Sequence, residues 1–182
     1  MKTYTETEML AIWRSRLGFD EVHTGCTVES FDGHDVDSRI RQAMRAWYLR
    51  LLDTAQARLL PCEQVEAAST QVYGRRQLLI RLPDRCRRPL RMHADRWCSA
   101  ASPDSSERSL VDLQRLASPF GWPDDSCPIV CLLPDGAVVA APLDPDDDFS
   151  IYAVVEPADG SYTLDESLLD TIPNRLTDYC YE

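Results

Sequence analysis

The stretch SRIRQAMRAWYLRLLDTAQARLLP, residues 38–61, sets the frame for the chain. Ile40, Ala43, Met44, Trp47, Leu51, Ala55 and Leu59 recur at intervals of three and four, the spacing that puts side chains on one face of an α-helix. Arg39, Arg41, Arg45, Arg50 and Arg58 fall largely off that stripe. Asp37 or Ser38 is placed to cap the start, and Pro61 has no N–H with which to continue. The spacing predicts one helix over 38–60, about 34 Å long at 1.5 Å per residue, long enough to organise a domain.

On its N-terminal side, a second helix is expected over Glu6–Leu17. Thr5 and Glu8 form a capping box, Gly18 stops the helix, and Met9, Ile12, Trp13 and Leu17 make its apolar stripe. Residues 20–37, with Gly25 and Gly33, read as loop with room for one short strand. On its C-terminal side the period changes from 3.6 to 2. A strand-like run containing Val65, Ala67 and Val72 leads into QLLIRLP and then PLRMHADRW. In the last of these Leu90, Met92 and Ala94 face inward, and Arg91, His93 and Asp95 face out. A short helix is expected at 110–116. CPIVCLLPDGAVVAAPL then reads as a hairpin, with Asp135-Gly136 supplying the positive φ angles of a tight turn. FSIYAVVEP is a further strand. Asp165 caps a short helix through Leu169, and NRLTDYCYE restarts it. The order predicts an α+β fold: a small helical bundle with one long central helix plus an inserted antiparallel β-sheet. Residues 1–61 and 164–182 are expected to be mainly helical, with 62–163 a β-rich insertion in a single domain.

The chain has 182 residues, 44% of them hydrophobic and 27% charged, which excludes a disordered polymer and suffices for a real core. There is no run of apolar residues long enough to span a bilayer and no apolar leader at the N-terminus, so a cytoplasmic location is expected. Seven scattered cysteines point to reduced thiols. The pair in CPIVC, Cys127 and Cys131, reads as two buried thiols on one face of a strand rather than as metal ligands.

Candidate chemistry is sparse. Asp144, Asp146 and Asp148 match the first three ligand positions of an EF-hand loop. Phe149 replaces its glycine and Val155 its final glutamate, so the segment reads as a solvated loop. His23, His34 and His93 are too far apart to suggest a site. Among the seven glycines no phosphate-binding loop occurs, and no nucleophile motif is present. The chain is therefore read as a non-enzyme, with no cofactor and no metal.

Charge is more informative. The net formal charge of -11 is distributed as -5 over residues 1–38, +8 over 39–97 and -14 over 98–182. Arg75, Arg76, Arg81, Arg85, Arg87, Arg88, Arg91 and Arg96 fall within 22 positions. Such a patch suits phosphate, but an acidic chain repels nucleic acid at long range, so no sequence-specific nucleic-acid binding is expected. Carboxylates are the better partners. The expected interface sets Arg85, Arg87, Arg88 and Arg91 against Asp144, Asp146, Asp147 and Asp148, within one chain or between neighbours.

The order of segments resembles the head-to-tail adaptor, or tail-tube A-type, proteins of tailed bacteriophages. The likeness rests on an N-terminal helix, the long helix DVDSRIRQAMRAWYLRLLDTAQARLL, the strand-LP-strand segment LLIRLPDRCRRPLRM, and LDESLLDTIPNRLTDYC. In the last, Ile172-Pro173 with Leu176, Asp178 and Tyr179 matches the pattern that opens the family's final helix. The resemblance implies a helical bundle with an inserted sheet. It further implies a non-enzymatic virion protein, a homo-oligomeric ring between portal and tail proteins, and an acidic lumen along which DNA slides. The other role the sequence raises is a small cytoplasmic interaction module, of the immunity or regulatory kind, that binds a basic partner through its acidic C-terminal third.

Overall fold

A computed structural model describes residues 1–18, 36–103, 114, 116–118 and 122–175. In chain order these form β1 (Lys2–Tyr4), α1 (Glu6–Arg16), α2 (Val36–Thr54), a 3-10 turn (Ala57–Leu59), β2 (Cys62–Val65), β3 (Ser69–Gly74), β4 (Gln77–Arg81) and β5 (Cys86–Ala94). There follow β6 (Ile129–Leu132), β7 (Val138–Ala141), β8 (Phe149–Val155), β9 (Tyr162–Leu164) and a second 3-10 segment (Glu166–Thr171). The chain divides into two compact units, one of residues 1–61 and 156–182, the other of Cys62–Val155.

In the first unit α1 begins as its sequence dictates. Thr5 Oγ1 accepts from the Glu8 N–H, while Glu8 Oε2 accepts from the Thr5 N–H at 2.8 Å. Gly18 leaves the helix at φ +77°, a conformation in which a Cβ is strained. Met9, Leu10 and Trp13 are buried, and Trp13 meets Trp47 of α2 edge to face, with centroids 5.8 Å apart. Such aromatic pairs contribute about 0.5–1.5 kcal/mol beyond burial alone. On α2 the buried stripe is Ile40, Ala43, Met44, Trp47, Tyr48 and Leu52. β1 and β9 pair antiparallel, Lys2 opposite Leu164, which ties the N-terminal strand to the returning chain.

The second unit holds two antiparallel sheets, ordered β2-β8-β5 and β3-β4-β7-β6. The inward side chains of both feed one buried cluster. Val65, Met92, Ala94, Ile151 and Ala153 come from the first sheet, and Leu78, Ile80, Val130, Val138 and Ala140 from the second. The valine, leucine, isoleucine and methionine side chains among them contribute roughly 1.5–3 kcal/mol each when fully buried. The far face of the second sheet is covered as well, by Leu116 against Ile129, Cys131, Val139 and Ala141. That is why VVAA in β7 is apolar at every position rather than alternating.

The expected fold class is overturned. Apart from helical residues at 114, 116 and 117, the described residues hold two α-helices and two short 3-10 segments against nine strands in three antiparallel sheets, so the protein is far richer in β-structure than a bundle around one central helix. The predicted helix over 38–60 is shorter at its end, stopping at Thr54. There Thr54 Oγ1 donates back to the Arg50 carbonyl at 2.7 Å, and the Leu59 carbonyl accepts from the Asp165 N–H at 2.9 Å. The last turn is given up to this long-range bond. Residues 156–163, read with the insertion, fall in the first unit, where β9 pairs with β1. The helix expected at 165–169 is a 3-10 segment capped by Asp165, whose Oδ1 accepts from the Ser167 N–H. Of the short helix expected at 110–116, residues 114 and 116 are described and both are helical; the rest of it lies outside the described residues. The restarted helix after Pro173, the loop at 20–37 and the residues His23, Cys26, His34 and Cys180 lie wholly or mostly outside them.

Two local expectations are corrected. At 133–136 only Gly136 has positive φ, at +81°; its N–H donates to the Leu133 carbonyl at 2.9 Å. Pro134 suits the first corner of such a turn and Gly136 the left-handed position after it, giving a five-residue connection rather than a two-residue one. Cys127 is exposed ahead of β6, so only Cys131 of the CPIVC pair is buried. Among the described residues no helix is long and apolar enough to cross a membrane.

Candidate binding site

The residues expected to form an interface are placed as follows. Arg85 is exposed and pairs with Glu63 of β2. Arg87 sits at a bulge in β5 and Arg88 is half-buried beside it; both are engaged. Asp144 and Asp147 are half-buried and are met by Arg76 and Arg96, outside the expected set of arginines. Arg76 Nε lies 3.3 Å from Asp144 Oδ2, and its Nη2 lies 3.3 Å from Asp125 Oδ1. Arg96 Nη1 lies 3.5 Å from both Asp144 Oδ2 and Asp147 Oδ1. Asp146 and Asp148 are exposed, and the Asp148 carbonyl accepts from the Asp95 N–H at 3.1 Å. Arg76 stands in the β3–β4 turn at φ +51°, a left-handed conformation uncommon for a residue with a Cβ. Its carbonyl accepts from the Leu143 N–H at 2.9 Å, so the turn is held at both ends of the residue.

Arg91 is different. It lies on the outward face of the β2-β8-β5 sheet, opposite Tyr152 of β8, which in turn stands opposite Gln64 of β2. The next outward row is Ser150 opposite His93. The bulges at Arg87 and Leu90 decide this face. They place Pro89, Met92 and Ala94 on the buried side and leave Leu90 half-buried, so the inward role expected of Leu90 passes to Pro89. The two rows and Cys98, Ser99 and Ala100 line a cleft of about 490 Å³. The 98–100 wall is anchored at both ends. The Cys98 N–H donates to the Asp125 carbonyl at 2.7 Å, and Ala101 exchanges two backbone hydrogen bonds with Met92. Tyr152 is 48% exposed, with its hydroxyl donating to the Cys62 carbonyl at 3.1 Å, which fixes the ring while leaving its face open.

The alternation in PLRMHADRW puts Arg91 and His93 on one outward face but leaves Gln64, Cys98, Ser99 and Tyr152 unassigned. A usable signal for Tyr152 was its place between the inward Ile151 and Ala153. Nothing in the sequence shows that residues 98–100 return beside β5.

A second open surface is the edge of the four-stranded sheet. Five of the six β3 residues are exposed, with Val72 at 61% and Tyr73 at 54%. A bulge at Tyr73 limits the regular run to Ser69–Val72.

Burial pushes the Cys86 thiol up to about 11, with Arg85 opposing the shift, and burial raises Cys62 as well. Cys98 and Cys127 are exposed. Among the described residues no group of three or more His, Cys, Asp or Glu side chains is arranged to hold a metal ion. No protein-family model matches the chain, and no curated protein matches it.

Proposed function

We propose that this chain is a non-enzymatic structural protein that joins a larger assembly by lending the open edge of β3 to a neighbouring protein. The observation that carries this reading is the exposure of Ser69–Val72 on both faces of an edge strand, with Val72 and Tyr73 bare. An edge strand presents unpaired N–H and C=O groups that template pairing with another chain. Proteins commonly blunt such edges with Lys or Pro, and STQVYG contains neither.

The specific form we propose is the head-to-tail adaptor of a tailed bacteriophage. It would be a ring in the virion, built by contacts between unlike faces of successive subunits and bound to portal and tail proteins. Support for that form lies in the order of segments, the LDESLLDTIPNRLTDYC pattern and the net charge of -11, which suits a lumen that repels DNA. The β-rich architecture removes the helical bundle from that support. The immunity-like role draws less, because Asp125, Asp135, Asp144, Asp147, Glu156 and Asp170 already meet arginines of the same chain.

Size-exclusion chromatography with light scattering, with and without a portal protein, tests the reading. A ring or a portal complex that Val72→Lys weakens is the expected result. A strict monomer that ignores portal protein would sink it.

A further inference from the structure

We propose that the cleft on the outward face of the β2-β8-β5 sheet binds a carboxylate carried by an extended protein segment, with Arg91 as the residue that grips it. This goes beyond the assembly reading and does not depend on it, since β3 belongs to the other sheet.

The first ground is the state of the arginines. Along 75–96, Arg76, Arg81, Arg85 and Arg96 each meet a carboxylate, and Arg75 lies over the Trp122 ring. Arg87 and Arg88 are engaged too. The Arg91 side chain has no hydrogen-bonding or ionic partner among the described residues, although it stands on the wall of a cleft. Its guanidinium offers a planar fork that fits a carboxylate through two parallel hydrogen bonds.

The second ground is the shape and lining. Gln64, Tyr152 and Arg91 form one row across three strands, and Ser150 and His93 form the next. Successive outward rows on a sheet are about 6.8 Å apart, twice the rise per residue, which is also the spacing of alternate side chains in an extended peptide. An acidic side chain at Arg91 therefore brings its second neighbour along the peptide over the adjacent row. The exposed Tyr152 ring supplies apolar contact, and the Gln64, Ser99 and Ser150 side chains supply hydrogen bonds. A cleft of about 490 Å³ admits a few residues, not a folded domain.

The third ground is charge. This unit carries ten arginines against fourteen acidic residues, a net -4. Polyanions are repelled at long range, whereas a single carboxylate is matched by one fork.

The test is an NMR titration of the full ¹⁵N-labelled chain with an acetylated, amidated pentapeptide that has one central glutamate, alanine on each side of it and phenylalanine at both ends, so that the glutamate and both rings share one face. Saturable shifts at the amides of Arg91, His93, Ser150 and Tyr152 are expected. Replacing glutamate by glutamine in the peptide, or Arg91 by Gln in the protein, should weaken binding about tenfold or more, the usual worth of a charged hydrogen bond. Arg91→Lys keeps the charge and should recover only part of the affinity. Arg50→Gln, an exposed arginine of the other unit, should change nothing. Equal binding by Arg91→Gln, shifts away from the cleft, no saturable shift, or inorganic phosphate saturating the same signals at equal or lower concentration would each overturn the proposal.

Discussion

Tyr48 satisfies both backbone groups of Thr163: its hydroxyl donates to the carbonyl and accepts from the amide, each at 3.1 Å. One side chain on α2 thus takes over the hydrogen bonds that β9 would otherwise need from another strand, while its ring packs on Tyr162 with centroids 5.0 Å apart.

Burial raises the Tyr48 phenol to about 12 from an ordinary value near 10, outweighing the hydrogen bond to Thr163 and the nearby Arg45. The native state holds the neutral form, so this stabilisation is complete below pH 10 and is lost as pH rises from 10 to 12. A shift of that size corresponds to roughly 2–3 kcal/mol. Tyr48→Phe should cost about 1–3 kcal/mol at pH 7, from the two unmatched groups on Thr163. It should also flatten the fall in stability between pH 10 and 12. Urea unfolding of both proteins across that range measures the difference. Identical pH profiles would refute the assignment.

Gly74 is required by its neighbour. A Cβ there would sit 2.6 Å from Gln77 Oε1 and 3.0 Å from its Cδ. Gln77 is only 7% exposed, and its Nε2 donates to the Leu116 carbonyl at 2.9 Å, so it has little room to move. Gly74→Ala should destabilise by about 1–3 kcal/mol, the usual range when a buried polar group loses its partner. Added to Gln77→Ala, the same change should cost much less, because the obstructing amide is gone. A double-mutant cycle by urea denaturation reads the coupling, and simple additivity would count against it.

The described thiols should separate by exposure in a timed alkylation followed by mass spectrometry at pH 8. Cys98 and Cys127 are exposed and should react first. Cys62 and Cys86 are half-buried with raised thiol pKa values, so both lag. Cys131, fully buried beneath Leu116, should react only on unfolding. Early labelling of Cys131 would contradict the packing on the far face of the four-stranded sheet.

Local features were legible in the sequence where a few neighbouring residues decide them. Thr5 and Glu8 are three apart and close the capping box by themselves. The alternation of Arg91, Met92, His93 and Ala94 gives one outward and one inward side. It failed at Leu90, where a bulge shifts the phase by one residue and the side chain loses its place in the core. The run around Val65 and Val72 reads as one strand because both ends share a period. In the fold β2 and β3 belong to different sheets, a division that depends on which strands they pair with.

The sequence by itself determined the change from helical to strand periodicity at Pro61, the cap of α1, the turn glycine at 136 and the outward place of Arg91 and His93. These rest on contacts within a few residues, or on a repeat that any local window contains. Only the tertiary structure decided that α2 ends at Thr54, that Arg76 and Arg96 take Asp144, and that the Arg91 side chain stands on a cleft wall with no partner among the described residues. The reason is physical. An arginine fork fits every carboxylate equally well, so its choice is made by backbone pairings such as β5 with β8, which bring together residues dozens of positions apart.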